Sequence, residues 1–240
     1  MTEYGDDELE IELRDSDDIG ARIILLSALS IWPDLDDMAE RSSWQRWLDA
    51  QGVLSVALEP ELRIVKEHSG SPLTAPEIDL CDRSMDSLVV LAWACALIDE
   101  LPALRLAEEE DGLIERIPIP GEPVSQFLDQ LIVRDEELIA VERERAELWN
   151  WRLVAEALQR NDSSANRHEI EEAIREVVLE SAISLAFTEI DTEDFLVEGV
   201  PVRKLEEEYL ESLIVTSEDR LRALNWLCGL TEWDAVHLPD

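Results

Sequence analysis

Apolar residues recur along most of the chain at spacings of three and four, which is the period of an amphipathic helix. The segment 87–101, SLVVLAWACALIDEL, is apolar on all sides, so we expect it to form a central, buried helix ended by Pro102. Over the whole chain the pattern predicts helices at about 19–31, 42–52, 60–67, 87–101, 123–131, 135–159, 167–187, 205–214 and 216–229.

Polar residues at the ends of these segments are typical of helix caps and stops. The expected N-caps are Asp17 or Asp18, Ser42 or Ser43, Asp135, and Thr216 or Ser217. Gly229 is expected to end the last helix, and SGSPLTAP at 69–76 is expected to be a loop.

Two short segments depart from the helical period. Residues 8–13, ELEIEL, alternate strictly, which favours a short strand without excluding a helix. Residues 195–202, FLVEGVPV, place Glu198-Gly199 between two apolar runs. This pattern predicts a small β-hairpin with Pro201 at an edge.

The sequence therefore predicts an all-α, single-domain bundle of about eight helices with a small hairpin near 195–202. We expect residues 1–18 to be an acidic N-terminal segment and residues 19–240 to form the helical domain. The run at 107–123 mixes AEEEDG with PIPGEP, and a boundary between two subdomains would lie there.

Composition adds a strong negative charge to this picture. The chain has 57 Asp and Glu against 20 Lys and Arg, a formal net charge of −37. The excess is even, because residues 1–120 hold 28 acids and 9 bases and residues 121–240 hold 29 and 11. Clustered bases, which nucleic-acid and anionic-membrane binding require, are missing, so we expect neither as a partner.

The charge and the start of the chain also bear on location. The first residues, MTEYGDDELEIEL, are acidic where a secretory signal would be basic and then apolar. No run approaches eighteen uncharged apolar residues, so no transmembrane helix is expected. We expect a cytoplasmic protein. The charge itself fits a solubility surface, adaptation to a salty cytoplasm, or a partner with a basic face.

The sequence carries no constellation typical of catalysis or metal binding. Cys81, Cys95 and Cys228 are far apart, which favours buried hydrophobic thiols over disulfides or zinc ligands. The three histidines are isolated, and the eight glycines form neither a phosphate loop nor a nucleophile elbow. We expect no catalytic residues, no metal and no cofactor.

Tryptophan supplies eight of the thirteen aromatic residues. Most are expected to be core anchors, but Trp149 and Trp151 lie two apart on one helix and point to different faces. One of them would be exposed unless that helix packs on two sides. Exposed tryptophan would mark a contact surface.

The end of the chain has a distinctive pattern, RxxALNWLxG followed by WDxV, over residues 220–236. This pattern resembles the C-terminal signature of the bacterial domain of unknown function 4272 family. The segments 47–54, 88–102 and 146–155 are similar to further stretches of that family. The chain departs from it at Cys95-Ala96, where the family has Leu-Gly, and at Asn150-Trp151, where it has His-Trp. The resemblance implies a mainly helical domain and no known reaction.

The candidate site is a polar cluster around this signature. Asn225 lies among apolar helix residues, so we expect it to bond a neighbouring backbone. Arg220 and Asp234 are expected to pair, or Asp234 to accept from a tryptophan. The candidate binding residues are Arg220, Asn225, Trp226, Trp233, Asp234 and Trp149.

Three hypotheses for function follow. The first is a non-enzymatic acidic interaction protein that binds a basic protein, in its sharpest form an immunity or antitoxin factor. The second is an enzyme or small-ligand binder that uses the C-terminal polar cluster. The third is a protein adapted to high salt, whose negative charge does not reflect binding to a partner.

Overall fold

The computed structural model describes residues 11–35, 37–67, 72–104, 112–161, 167–184, 189–191 and 193–234. These residues form a mainly helical fold, as predicted. The helices are α1 (Ser16–Ile31), α2 (Met38–Ala50), α3 (Glu59–Glu67), α4 (Ala75–Ala94), α5 (Val124–Leu128), α6 (Glu136–Asn161), α7 (Arg167–Ser184) and α8 (Glu207–Leu227). None of the helices described is long and apolar enough to cross a membrane.

The predicted hairpin is present. Strands β1 (Leu196–Val197) and β2 (Val200–Pro201) pair antiparallel, with Val197 opposite Val200. The turn residues Glu198 and Gly199 both have positive φ, at 50° and 80°. Two positive φ angles give the turn a twist that matches the right-handed twist of the strands.

The buried side chains form two clusters. The larger one joins α1, α2 and α4 to the C-terminal half of α8. The smaller one joins the middle of α6, α7 and the hairpin to the N-terminal half of α8. Helices α6 and α8 contribute to both clusters. Residues 107–111 of the predicted seam lie outside the described residues, so a boundary at 107–123 stays a prediction.

The N-terminal segment differs in detail from the expectation. Helix α1 begins at Ser16 with Asp15 as N-cap, so Asp17 and Asp18 lie in its first turn, where their charge complements the helix dipole. Residues 11–15 form no strand, and Arg14 N donates to Leu227 O at 3.0 Å. The rest of the predicted strand, residues 8–10, lies outside the described residues.

The predicted cap of α2 at Ser42 or Ser43 is wrong, and α4 begins well before its predicted start at 87, because in both cases the capping residue lies further upstream. Helix α2 begins at Met38, and its Asp37 carboxylate accepts from Ala39 N at 2.8 Å. Helix α4 begins at Ala75, within the predicted loop, because Thr74 N donates to the Glu77 carboxylate at 2.8 Å. Such a Thr-x-x-Glu arrangement is a helix start, and Pro76 suits the first turn.

The last two predicted helices are one helix, α8. Thr216 and Ser217 were expected to cap a new helix, but both lie inside α8. The Thr216 hydroxyl donates to Asp86 Oδ2 at 3.2 Å, and the Ser217 hydroxyl donates to Ile214 O at 2.8 Å. Their side chains are therefore satisfied without breaking the helix.

Gly229 ends α8, as predicted, and it has two reasons to be glycine. Its φ is 68°, which favours glycine, and Leu230 N donates back to Asn225 O at 3.0 Å. A Cβ atom at this position would lie 2.5 Å from Glu12 O. The N-terminal segment thus packs directly on the end of α8.

Helix α4 ends at Ala94, earlier than predicted, in the same type of turn but without glycine. Leu97 N donates to Ala92 O at 2.8 Å, and Ala96 takes a φ of 53°. The backbone adopts here the left-handed conformation that glycine favours. An alanine in this conformation is strained.

Replacing Ala96 by glycine is expected to raise the free energy of unfolding by about 1 kcal/mol, because the left-handed strain is relieved. Urea denaturation of the variant and the parent protein measures the change. Ala94→Gly, two residues earlier in the last helical turn, is the control and should lower stability by about 1 kcal/mol. Equal losses in both variants would contradict the assignment of strain to Ala96.

Candidate functional site

The six candidate residues do not form one cluster. Trp233 and Asp234 line a surface groove, whereas Arg220 and Trp149 line a separate cavity. Asn225 and Trp226 are buried at the end of α8 and line neither of these sites.

Asn225 is a structural tie between two helices. Its side-chain oxygen accepts from Arg143 Nε at 2.8 Å, and only 2% of the residue is exposed. The partner is thus a side chain of α6, where the sequence predicted a backbone group. Because Arg143 also pairs with Glu147 at 2.9 Å, the contact joins α8 to a charged pair on α6.

The two C-terminal tryptophans contact each other and several arginines. The rings of Trp226 and Trp233 meet edge to face, with centroids 5.2 Å apart. The Arg22 guanidinium lies 4.4 Å from the centroid of Trp233, and that of Arg222 lies at 5.4 Å. These contacts fix Trp233 in the wall of the groove.

The groove is bounded by α3, α4, α8 and the turn after α8. We call it the acidic groove; its volume is about 780 Å³. The charged residues that line it are Glu59, Glu61, Asp79, Arg83, Glu218, Asp219, Arg222 and Asp234.

Both arginines of the acidic groove are engaged by one buried carboxylate. Asp219 is fully buried, accepts from Arg83 Nε at 2.7 Å, and forms an ion pair with Arg222, whose Nη2 atom lies 2.7 Å from Asp219 Oδ1. Glu61 is likewise neutralised, by Arg22 at 2.9 Å. The paired charges hold α1, α3, α4 and α8 together.

Four further carboxylates line the groove, against the single positive charge that remains when Asp219 pairs with both arginines, so the lining is acidic by three charges. Glu59, Asp79 and Asp234 are exposed and make no ion pair with any residue that the structure describes. Glu218 approaches Arg83 only to 4.0 Å, and partial burial raises the pKa of its carboxyl. A cation placed in the groove would therefore be favoured.

The second cavity, of about 350 Å³, lies beside α4, α6 and α8, and we call it the interhelical cavity. Trp93 and Trp149 form part of its wall. Arg220 reaches it, and donates to Pro102 O at 2.8 Å and Ala103 O at 3.4 Å. Arg220 therefore fastens the chain after α4, where the sequence predicted a pair with Asp234.

Neither Trp149 nor Trp151 is exposed. Trp149 is 9% exposed, and its ring meets Phe195 edge to face at 5.2 Å. Trp151 is half-buried against the same smaller cluster. Helix α6 packs on more than one side, so neither tryptophan is left as an exposed contact.

Asp86 is a buried charge that sequence reasoning missed. Its Oδ2 atom accepts from Thr216, but its buried Oδ1 atom has no hydrogen-bond partner. Burial raises the pKa of Asp86 to about 6, against the opposing attraction of Arg220. An acidic residue just before the apolar run SLVVLAWA was the available signal.

The remaining chemistry is sparse. All three cysteines are free and buried, as predicted, and burial raises the pKa of Cys81 and Cys95 to about 12 and that of Cys228 to about 11. Thiols with such pKa values are inert at neutral pH. Across the described ranges, no group of three or more His, Cys, Asp or Glu side chains is placed to hold a metal.

Fold and site together define a mainly helical protein with an acidic surface groove. The chain belongs to the family described as Domain of unknown function (DUF4272), whose profile matches residues 4–185. Comparisons with curated proteins and with solved structures found no significant match. The matched range includes α1 to α7 and Trp149 but ends before α8 and before the pattern at 220–236.

Proposed function

We propose that the protein is a non-enzymatic, cytoplasmic interaction protein that binds a basic protein partner in the acidic groove. The observation that carries this proposal is the excess of carboxylates there. Arg83 and Arg222 share the single carboxylate of Asp219 and together leave one positive charge, against the four carboxylates of Glu59, Asp79, Glu218 and Asp234. Lysine or arginine side chains of a partner would complete these pairs.

The whole-chain charge supports the same class of partner. A net charge of −37 attracts a cationic protein and repels nucleic acid over a distance of about 10 Å at 0.1 M salt. An enzyme that acts on nucleic acid has the basic face that such a charge would mask. The sharpest form of the proposal is therefore an immunity or antitoxin factor.

The test first isolates the partner and then compares its binding to two variants of equal net charge. A tagged chain is used to isolate a partner from the native host at low salt, and the partner is then purified. The groove variant is Glu59→Gln with Asp79→Asn and Asp234→Asn. The control is Asp49→Asn with Asp129→Asn and Glu176→Gln, which changes the net charge equally but leaves the groove intact.

The groove variant is expected to bind the basic partner about 10- to 100-fold more weakly, because three rim charge pairs are each worth about 0.5–1 kcal/mol. Calorimetric titration at two salt concentrations measures the affinity, which should fall with salt for the parent and control proteins. Equal weakening in both triple variants, or a partner without net positive charge, would contradict the proposal.

The interhelical cavity favours a second candidate, a small-ligand binder. Two tryptophans and the Arg220 guanidinium line a volume that suits a small molecule. The same variants separate the candidates, because the groove substitutions do not touch this cavity. A ligand that binds parent and groove variant alike would favour the second candidate.

A further inference from the structure

A third cavity lies between α6, α7 and the hairpin, on residues that the acidic groove does not use. Its volume is about 580 Å³, and we call it the arginine cavity. Four of the chain's 20 basic residues line it: Arg152, Arg160, Arg175 and Arg203. Among the described residues that line it, four carboxylates balance them, so this region is locally neutral in a strongly acidic chain.

Arg152 is the fixed centre of the arginine cavity. It is 1% exposed, and its Nε and Nη2 atoms donate to the two oxygens of Asp194 at 2.7 and 3.2 Å. Nη2 also donates to Glu156 at 3.0 Å. Asp194 additionally accepts from the backbone nitrogens of Phe195 at 2.9 Å and Arg203 at 3.1 Å. The guanidinium is therefore held in one orientation.

Two buried donors in the cavity have no acceptor. Arg152 Nη1 and Gln159 Nε2 are shielded from solvent, and neither makes a hydrogen bond. Three of the four carboxylates that line the cavity are already engaged: Asp194 and Glu156 by Arg152, and Glu193 by Arg203 at 2.9 Å. The fourth, Glu171, is exposed on α7. Because an unsatisfied buried donor is costly, this geometry calls for an acceptor from outside the protein.

Arg175 lines the cavity with a guanidinium that is not held in an ion pair. It is exposed on α7 and makes no ion pair with any residue that the structure describes. Two orphaned N–H groups and an unpaired guanidinium are donors only, and a ligand that accepts several hydrogen bonds and carries negative charge matches them.

We propose that the arginine cavity binds the oxyanion group, phosphate or carboxylate, of a small molecule. The volume is in the range of small-molecule sites. The net charge of −37 repels anions at long range, so an anion would bind only through the hydrogen-bond donors of the cavity itself. The site is independent of the acidic groove, and either proposal can fail without the other.

The experiment titrates the full chain with inorganic phosphate, pyrophosphate and citrate, using calorimetry and thermal unfolding. Sodium chloride at matched ionic strength separates specific binding from screening. Phosphate and pyrophosphate binding would assign the ligand group as a phosphate, and citrate binding would assign it as a carboxylate. Binding of none of the three, or an equal effect of chloride, overturns the proposal.

Variants locate the binding. Arg175→Gln, on the exposed face of α7, is expected to weaken the best of these anions about tenfold. Gln159→Glu, which replaces an orphaned donor by a carboxylate, should weaken it at least as much. Arg63→Gln, an exposed arginine of α3 away from the cavity, makes the same charge change and should leave affinity within about twofold. Equal losses in Arg175→Gln and Arg63→Gln overturn the site assignment.

Discussion

Replacing Glu61 by alanine is expected to lower the free energy of unfolding by about 3–5 kcal/mol, the cost of leaving a buried charge without its partner. Arg22 and Glu61 are 2% and 4% exposed, and Arg22 Nη1 donates to both Glu61 oxygens at 2.9 Å. Burial lowers the pKa of Arg22, and Glu61 opposes that effect. Urea denaturation at neutral pH measures the loss.

Glu61 does more than neutralise Arg22. It also accepts from Leu58 N at 2.7 Å, which anchors the start of α3. Arg22 in turn donates to Val56 O and lies over Trp233. Loss of Glu61 would therefore loosen α1, α3 and one wall of the acidic groove together.

Two further variants make this prediction specific. Glu59→Ala, in the exposed first turn of α3, should change stability by no more than about 0.5 kcal/mol. Replacing the pair together, Arg22→Met with Glu61→Leu, should recover a large part of the loss, because no buried charge remains. A loss below about 1 kcal/mol in Glu61→Ala would show that the pair is solvated in solution.

Local patterns were enough to predict the class of fold. The helical period and the Glu198-Gly199 turn gave the mainly helical fold and the hairpin, because both depend on neighbours in sequence. Helix boundaries were predicted less well where two local signals compete. At Thr74, proline and serine suggested a loop, yet the reciprocal contact with Glu77 begins a 20-residue helix.

The sequence did not predict that α8 is one continuous helix. Thr216 and Ser217 are typical cap residues, and only the tertiary contact of Thr216 with Asp86 removes the need for a break. The residues of the candidate site could not be grouped from the sequence for the same reason. Spacing along α8 gives the face of each residue, but not which helix covers it. Arg220 and Trp233 therefore line different cavities, and Arg152 meets Asp194 across 42 positions of sequence.

Replacing Asp86 by asparagine is expected to raise the free energy of unfolding at pH 7 by about 3 kcal/mol. Burial raises the pKa of Asp86 from 3.8 to about 6, and each pKa unit corresponds to about 1.4 kcal/mol. The folded state binds more protons than the unfolded state between these values. The contribution of Asp86 to the stability of the parent protein therefore falls as pH rises from about 4 to about 6.

The pH dependence is the decisive part of this prediction. Urea denaturation of parent and Asp86→Asn proteins should give equal stabilities below about pH 4, where Asp86 is protonated in both states, and a gap that widens until about pH 6. The control Asp82→Asn, exposed on the same helix, should differ from the parent by no more than about 0.5 kcal/mol. An Asp86→Asn variant that is less stable than the parent at pH 7 would mean that Arg220 and Arg83 stabilise the ionised carboxylate. In that case the contact between α4 and α8 would be an ion pair. If the variant is instead more stable, as expected, the carboxylate of Asp86 is a destabilising charge that the fold retains beside Arg220 and the interhelical cavity.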